Sequence, residues 1–171
     1  MEKLSFNLAL SRILENVDEV TSTEKISVLE ATGRVLVGDV VAPIDLPMLN
    51  RAAVDGYALK HSDTVEALPD NHRRLKLVGK LTAGEVPEYR LKKGECLQVT
   101  TGSVMPEGSD AVVLVENTRL ENNTVIVDTP LKKDDYILHR GEDISVGEIV
   151  FRSGRLLRSQ DIGAMAGLGI K

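Results

Sequence analysis

The spacing of apolar residues changes along the chain, and each change predicts a different element. Near the start Leu10, Ile13, Leu14 and Val17 recur three and four apart. That period predicts one amphipathic helix of about three turns, with Asn7 as its N-cap. Glu15 and Asp18 near its end oppose the helix dipole and predict a frayed last turn. After a polar loop over 21–25, Ile26-Ser-Val-Leu29 predicts a short strand. The β-branched run 35–41, interrupted by Gly38-Asp39, predicts a strand with a bend or bulge. From 73 to about 137 the apolar runs shorten, and 75–78, 96–100, 111–115 and 124–127 read as strands. Asn122-Asn123 lies between two of them, where a hairpin needs residues that tolerate the left-handed region. Short strands punctuated by turn residues predict a small barrel or folded sheet. Beyond a turn at 140–144, residues 148–151 read as a strand. Ser159 reads as the cap of a last helix over 160–168, stopped by Gly169. Gly163, Ala164, Ala166 and Gly167 give that helix a small-residue face suited to close packing, as at a subunit interface.

Composition narrows the classes of function. A chain of 171 residues accommodates one domain or two small ones. With a formal net charge of −5 and no Trp, neither a basic footprint nor a base-stacking platform for nucleic acid is expected. No apolar run reaches the length of a membrane span and the N-terminus lacks a leader's apolar stretch, so no membrane partner and a cytoplasmic location are expected. Cys96 is the single cysteine, which leaves no intrachain disulfide or thiolate metal cluster; within an apolar alternation it reads as an inert core thiol. His61, His72 and His139 have no ligand-like spacing and read as surface or capping residues.

The stretch richest in candidate chemistry is Asp45-Leu-Pro-Met-Leu-Asn-Arg-Ala-Ala-Val-Asp-Gly-Tyr-Ala58. Pro47 holds the backbone extended or turned. Asp55-Gly56 is a turn pair in which Gly56 is expected to supply a positive φ and Asp55 to bond nearby backbone N–H groups. Tyr57, one of three Tyr and two Phe, is expected to bury its ring as an anchor. Two readings stand at this point: a turn that closes a loop, or a carboxylate fixed for chemistry.

Leu46-Pro47 followed by Arg51-Ala-Ala-Val-Asp-Gly-Tyr-Ala58 resembles the signature of the MoeA family, the molybdopterin molybdenumtransferases. Four further stretches resemble that family in the same order. They are Thr82-Ala-Gly-Glu85, Thr101-Gly-Ser-Val-Met-Pro106, Gly108-Ser-Asp-Ala-Val-Val113 with Glu116, and Arg140-Gly-Glu-Asp-Ile144. The resemblance covers essentially the whole chain and extends to the gephyrin E domain. One departure is local: Ala52 and Val54 stand where many relatives carry Ser and Met.

The resemblance implies a mainly β fold with flanking helices (α+β). A mixed α/β body from residues 1–59 and 138–171 would serve dimerisation and carry an inserted β-rich, barrel-like domain at 60–137. It also implies a C-terminal α/β pterin-binding domain that these residues do not contain, supplied in cis or in trans, so the chain alone is expected to be inactive. The implied activity is insertion of molybdate into adenylylated molybdopterin with release of AMP, in molybdenum cofactor biosynthesis. A homodimer is implied, and molybdopterin adenylyltransferase is a candidate partner. By resemblance Asp55, Asp143 and Thr101 are the catalytic residues, Gly56, Gly102 and Glu116 contact the cofactor, and Asp55 and Asp143 are the candidate Mg²⁺ ligands. Hard carboxylate oxygens suit Mg²⁺, which commonly bridges to phosphate. For Glu116 a rim or salt-bridge role stays open, and for Asp143 a turn cap. Asp55 and Asp143 are expected to face one cleft, where repulsion would raise one pKa or favour a cation. Basic groups to meet an anionic substrate are expected from the further domain or a partner. The rival expectation is a non-catalytic assembly or protein-binding module of the same fold.

Overall fold

The structure, a computed structural model, describes residues 4–18 and 20–171. Helix α1, Phe6–Leu14, takes in Leu10, Ile13 and Leu14 of the predicted period but ends before Val17, and Ser5 and not Asn7 is its cap. Ser5 has the extended backbone a cap needs, and its Oγ accepts the Leu8 N–H at 3.3 Å; Asn7 already lies within the first turn. The strand expected at 26–29 is instead a 3-10 turn, Val28–Glu30. Ser27 Oγ accepts the Leu29 N–H, a local bond that competes with an extended backbone, and Val28 turns into the core.

The remaining elements are nearly all strands. Only the end of the run 35–41 pairs as a strand: β1, Val40–Val41, lies antiparallel to the late strand Ile149–Phe151, and its register shifts between Val40 and Val41 rather than at Gly38-Asp39. Next come β2, Arg51–Ala52; β3, Gly56–Leu59; β4, Arg73–Leu81; β5, Glu95–Val99; and β6, Ala111–Leu114. They are followed by β7, Thr118–Glu121; β8, Thr124–Val127; β9, Ile137–Leu138; and β10, the Ile149–Phe151 strand already met. Asn122 and Asn123, at φ 45° and 61°, make the tight turn between β7 and β8 as their side chains allow.

Six of these strands form one curled sheet in the order β6-β3-β5-β4-β8-β7, with β4 and β5 parallel and every other pair antiparallel. The sheet takes in Gly56–Leu59, upstream of the division expected at residue 60, because β3 is hydrogen-bonded on both edges to β5 and β6. Both faces of β3 are covered. Tyr57 and Leu59 join one apolar cluster with Cys96, Val113, Val125 and Val127, while Ala58 joins another with Leu97, Val99 and Val112. Burial raises the Cys96 thiol pKa to about 12, as an inert core thiol requires.

The two ends of the chain meet beside this sheet. β1 pairs with β10, β2 pairs antiparallel with β9, and Val35 bridges to Leu156. A third cluster of Val28, Ala31, Leu157 and Met165 packs the 3-10 turn against helix α2, Ser159–Gly167. Arg158 rather than Ser159 takes the α2 cap position, and the Asp161 carboxylate reaches back from the first turn to accept the Arg158 N–H at 3.0 Å. Gly169, at φ 75°, ends the helix as expected, and the Ile170 N–H closes on Met165 O at 3.0 Å. Among the described residues the fold is thus mainly β with two α-helices. Among the described residues no helix is long and apolar enough to cross a membrane.

Candidate functional site

Asp55 sits on the connection from β2 to β3, exposed, immediately before a strand that is buried along its whole length. Its Oδ1 accepts two bonds from one residue: the Thr101 N–H at 2.7 Å and the Thr101 hydroxyl at 2.9 Å. The Asp55 carbonyl accepts the Val115 N–H at 3.2 Å, so both its backbone and its side chain are tied to neighbouring strand ends. The Thr101 amide, and then its hydroxyl, hold the Asp55 carboxyl below its ordinary pKa by favouring the charged form. The expected repulsion from Asp143 is therefore not what sets this titration.

Gly56 departs from expectation. Its φ is not positive; it lies within β3. A Cβ there would stand 2.0 Å from the Val113 carbonyl oxygen, so glycine is required by the close approach of β6 and not by a turn. Gly102 does occupy the left-handed region, at φ 84°, and its N–H bonds Ala52 O at 2.8 Å. Ser103, fully buried, locks the same turn: its Oγ accepts the Thr100 N–H and donates to Leu81 O, each at 3.2 Å.

Asp55, Gly56, Thr101 and Gly102 thus come together at one end of β3 and β5. Glu116 lies on the 3-10 turn Val115–Asn117, next to the residue bonded to the Asp55 carbonyl, and is exposed. Asp143 is placed by other contacts. Its N–H bonds Leu46 O at 3.0 Å, within the turn that Arg140 pins to Asn50 Oδ1 at 2.8 Å. Asp143 is exposed, and no hydrogen bond or ion pair joins its side chain to Asp55, Thr101 or Glu116. What the two carboxylates share is the 45–55 segment, which carries Asp55 at one end and receives the Asp143 turn at the other.

Three features were not assigned a role from sequence. Arg51 donates to Gly102 O at 2.9 Å and so grips the residue after Thr101. Asp45 anchors the Asp143 turn by accepting the Val146 N–H at 2.8 Å and the Arg140 Nε–H at 2.5 Å; those two bonds, the backbone one foremost, lower its pKa. Ala52, completely buried, uses both backbone polar groups on Ser103 and Gly102, so the departure from Ser falls on a spot with no solvent access. The signal available in the sequence was proximity: Asp45 and Arg51 flank the proline and precede Asp55 within one short segment.

Among the described residues no three His, Cys, Asp or Glu side chains converge to hold a metal. The site instead offers single carboxylates, Asp55 with Oδ2 unengaged and Asp143 exposed, which matches the one or two protein ligands Mg²⁺ takes when it keeps its waters.

The model of the family described as MoeA N-terminal region (domain I and II) matches residues 4–169. The molybdopterin molybdenumtransferase of Synechococcus elongatus is 34% identical over 169 residues, covering 98% of this chain and 42% of that protein. The enzyme of the same name from Haemophilus influenzae is 32% identical, with 98% and 40% covered. Among solved structures, the molybdopterin biosynthesis moeA protein from Pyrococcus horikoshii OT3 superposes with a TM-score of 0.93 at 36% identity, covering 99% of this chain and 45% of that one. The chain therefore spans less than half the length of these relatives. With a match running almost from end to end and one fold shared throughout, the chain belongs to the MoeA N-terminal region (domain I and II) family.

Proposed function

We propose that this chain is the N-terminal part of a molybdopterin molybdenumtransferase, which inserts molybdate into adenylylated molybdopterin and releases AMP in cytoplasmic molybdenum cofactor biosynthesis. The observation that carries this reading is the exposed Asp55 carboxylate, held in its charged form by both donors of Thr101 at the end of a rigid sheet. A carboxylate immobilised in that way is preorganised to orient a substrate or water without rearranging. Asp143 serves the same reaction from the neighbouring turn, and Gly56, Gly102 and Glu116 shape the surface the cofactor meets. Mg²⁺ would be held by Asp55 Oδ2 and Asp143, where it would neutralise phosphate charge.

In this reading residues 60–137 are the inserted β-rich domain, and residues 1–59 and 138–171 are the body. The six-stranded sheet, which starts slightly earlier at Gly56, and the pairing of β1 with β10 support that division. A homodimer through that body is supported by α1, which buries no residue: Phe6, Ile13 and Leu14 are 79%, 61% and 64% exposed. The small face of α2 is also uncovered, with Gly163 and Gly167 open. Molybdopterin adenylyltransferase is the natural supplier of the adenylylated substrate. The remaining pterin-binding surface comes from an α/β domain in cis or in trans.

A cofactor-synthesis assay tests the proposal. The chain alone is expected to be inactive, and chain plus the C-terminal part of a relative is expected to release AMP and insert molybdenum. Asp55→Asn should abolish that activity with an unchanged circular dichroism spectrum. No activity in the reconstituted mixture, or full activity of Asp55→Asn, would overturn it.

A further inference from the structure

We propose that Arg51 is the anion-binding side chain of this site, taking one tetrahedral oxyanion beside Asp55 and Thr101; the proposal rests on the transferase reading above. Arg51 lies on β2, where its backbone is held from two sides: it faces Leu138 across the β9 pair and bridges to Val104. Its Nη1 donates to Gly102 O at 2.9 Å while the Gly102 N–H bonds Ala52 O at 2.8 Å. Adjacent residues of β2 thus grip both polar groups of Gly102, and Thr101 is the residue before it. The same guanidinium that steadies the turn is therefore fixed close to the Thr101–Asp55 pair.

Among the described residues no carboxylate lies within ion-pair distance of Arg51, whereas Arg140 and Arg155 are each paired with an aspartate. Guanidinium carries five N–H donors in a planar fork, and a single neutral carbonyl engages one of them. Half-buried with the other donors unengaged, Arg51 is preorganised for the two-oxygen contact that carboxylates and phosphate-like oxyanions accept. Asp55 and Asp143 cannot attract an anionic substrate, and the sequence implied that cations must come from elsewhere; Arg51 supplies one from within the signature itself. Free molybdate and a nucleotide phosphate present the same tetrahedral oxygens.

The two sources separate in ¹⁵N NMR titrations of the whole chain with sodium molybdate and, in parallel, with AMP. Saturable movement of the Arg51 Nε–H and Gly102 N–H signals is expected with at least one of them. Movement with molybdate alone assigns the free oxyanion, and movement with AMP alone assigns the phosphate. Arg51→Ala should abolish the response while signals from β4 and β8 stay in place. Arg51→Lys, which keeps the charge and loses the fork, should weaken binding roughly tenfold. Should Arg51→Ala disturb the sheet signals, Arg51→Lys decides. No saturable response in the unmodified chain, or wild-type affinity in Arg51→Lys, overturns the proposal. These titrations need no turnover, so failure of the transferase reading appears separately, in the cofactor-synthesis assay.

Discussion

Thr101 closes on Asp55 with both of its donors, and both reach the same carboxylate oxygen: the amide at 2.7 Å and the hydroxyl at 2.9 Å. The two residues are 46 positions apart, so the pair exists only once β3 and β5 have aligned Gly56 with Val99. It couples the position of a surface carboxylate to the register of the sheet. Loosening the turn at 100–103 would therefore change the chemistry of Asp55 without touching Asp55.

Thr101→Val keeps the shape and the amide bond but removes the hydroxyl. The Asp55 pKa should rise part of the way toward its ordinary value, because the larger amide contribution survives. In the unmodified protein the native pKa is the depressed one. The linked stability is then complete above the ordinary aspartate pKa and disappears as pH falls through the native value. The variant should lose that stability at a higher pH. Carboxyl ¹³C titration of Asp55 measures the shift, and an unchanged Asp55 curve would contradict the assignment.

Gly56→Ala places a methyl 2.0 Å from the Val113 carbonyl oxygen, a backbone atom with no side-chain freedom to yield. Separating β3 from β6 should cost about 3 kcal/mol, the upper part of the usual overpacking range. Urea denaturation monitored by Tyr fluorescence reads it. A loss below about 1 kcal/mol, the lower end of that range, would mean the two strands can part more easily than their pairing suggests.

Cys96 is fully buried, and burial carries its thiol to about 12. The native protein should therefore resist a disulfide exchange reagent at pH 8 and react stoichiometrically once unfolded in guanidinium. The thiolate is the reacting species and is scarce and inaccessible in the fold. Rapid native labelling would show that the sheet opens around β5.

Asp161 is 3% exposed and bidentate with Arg155, at 2.8 and 3.2 Å. Its pKa is lowered first by those side-chain bonds, with the Arg158 N–H also contributing. Arg155 in turn stacks 4.7 Å over Phe151. Asp161→Ala should lower the melting temperature at neutral pH and shrink the gap between variant and parent as pH falls through the depressed native pKa, where the parent loses the same interaction. Melting curves from neutral to acid pH check both parts.

What the sequence by itself determined is local in origin. Helical spacing placed α1, alternation placed β5, β6 and β8, and two asparagines placed the β7–β8 turn, because period and backbone preference act over a few residues. The Asp55-Gly56-Tyr57 stretch was also legible as a candidate site, and Tyr57 is buried as a ring anchor should be. Where a local rule failed, a side chain bonded the nearby backbone instead: the Asp161 carboxylate takes the Arg158 N–H at the start of α2, and Ser27 Oγ takes the Leu29 N–H at the 3-10 turn. The tertiary structure alone decided the rest. Gly56 is glycine because β6 lies against it, Asp55 is held by a residue in another turn, and Arg51 is aimed at Gly102 by pairing with a strand far along the chain. Each of those contacts depends on sheet register, and register is set by the joint burial of both faces of β3, which no window of neighbouring residues contains.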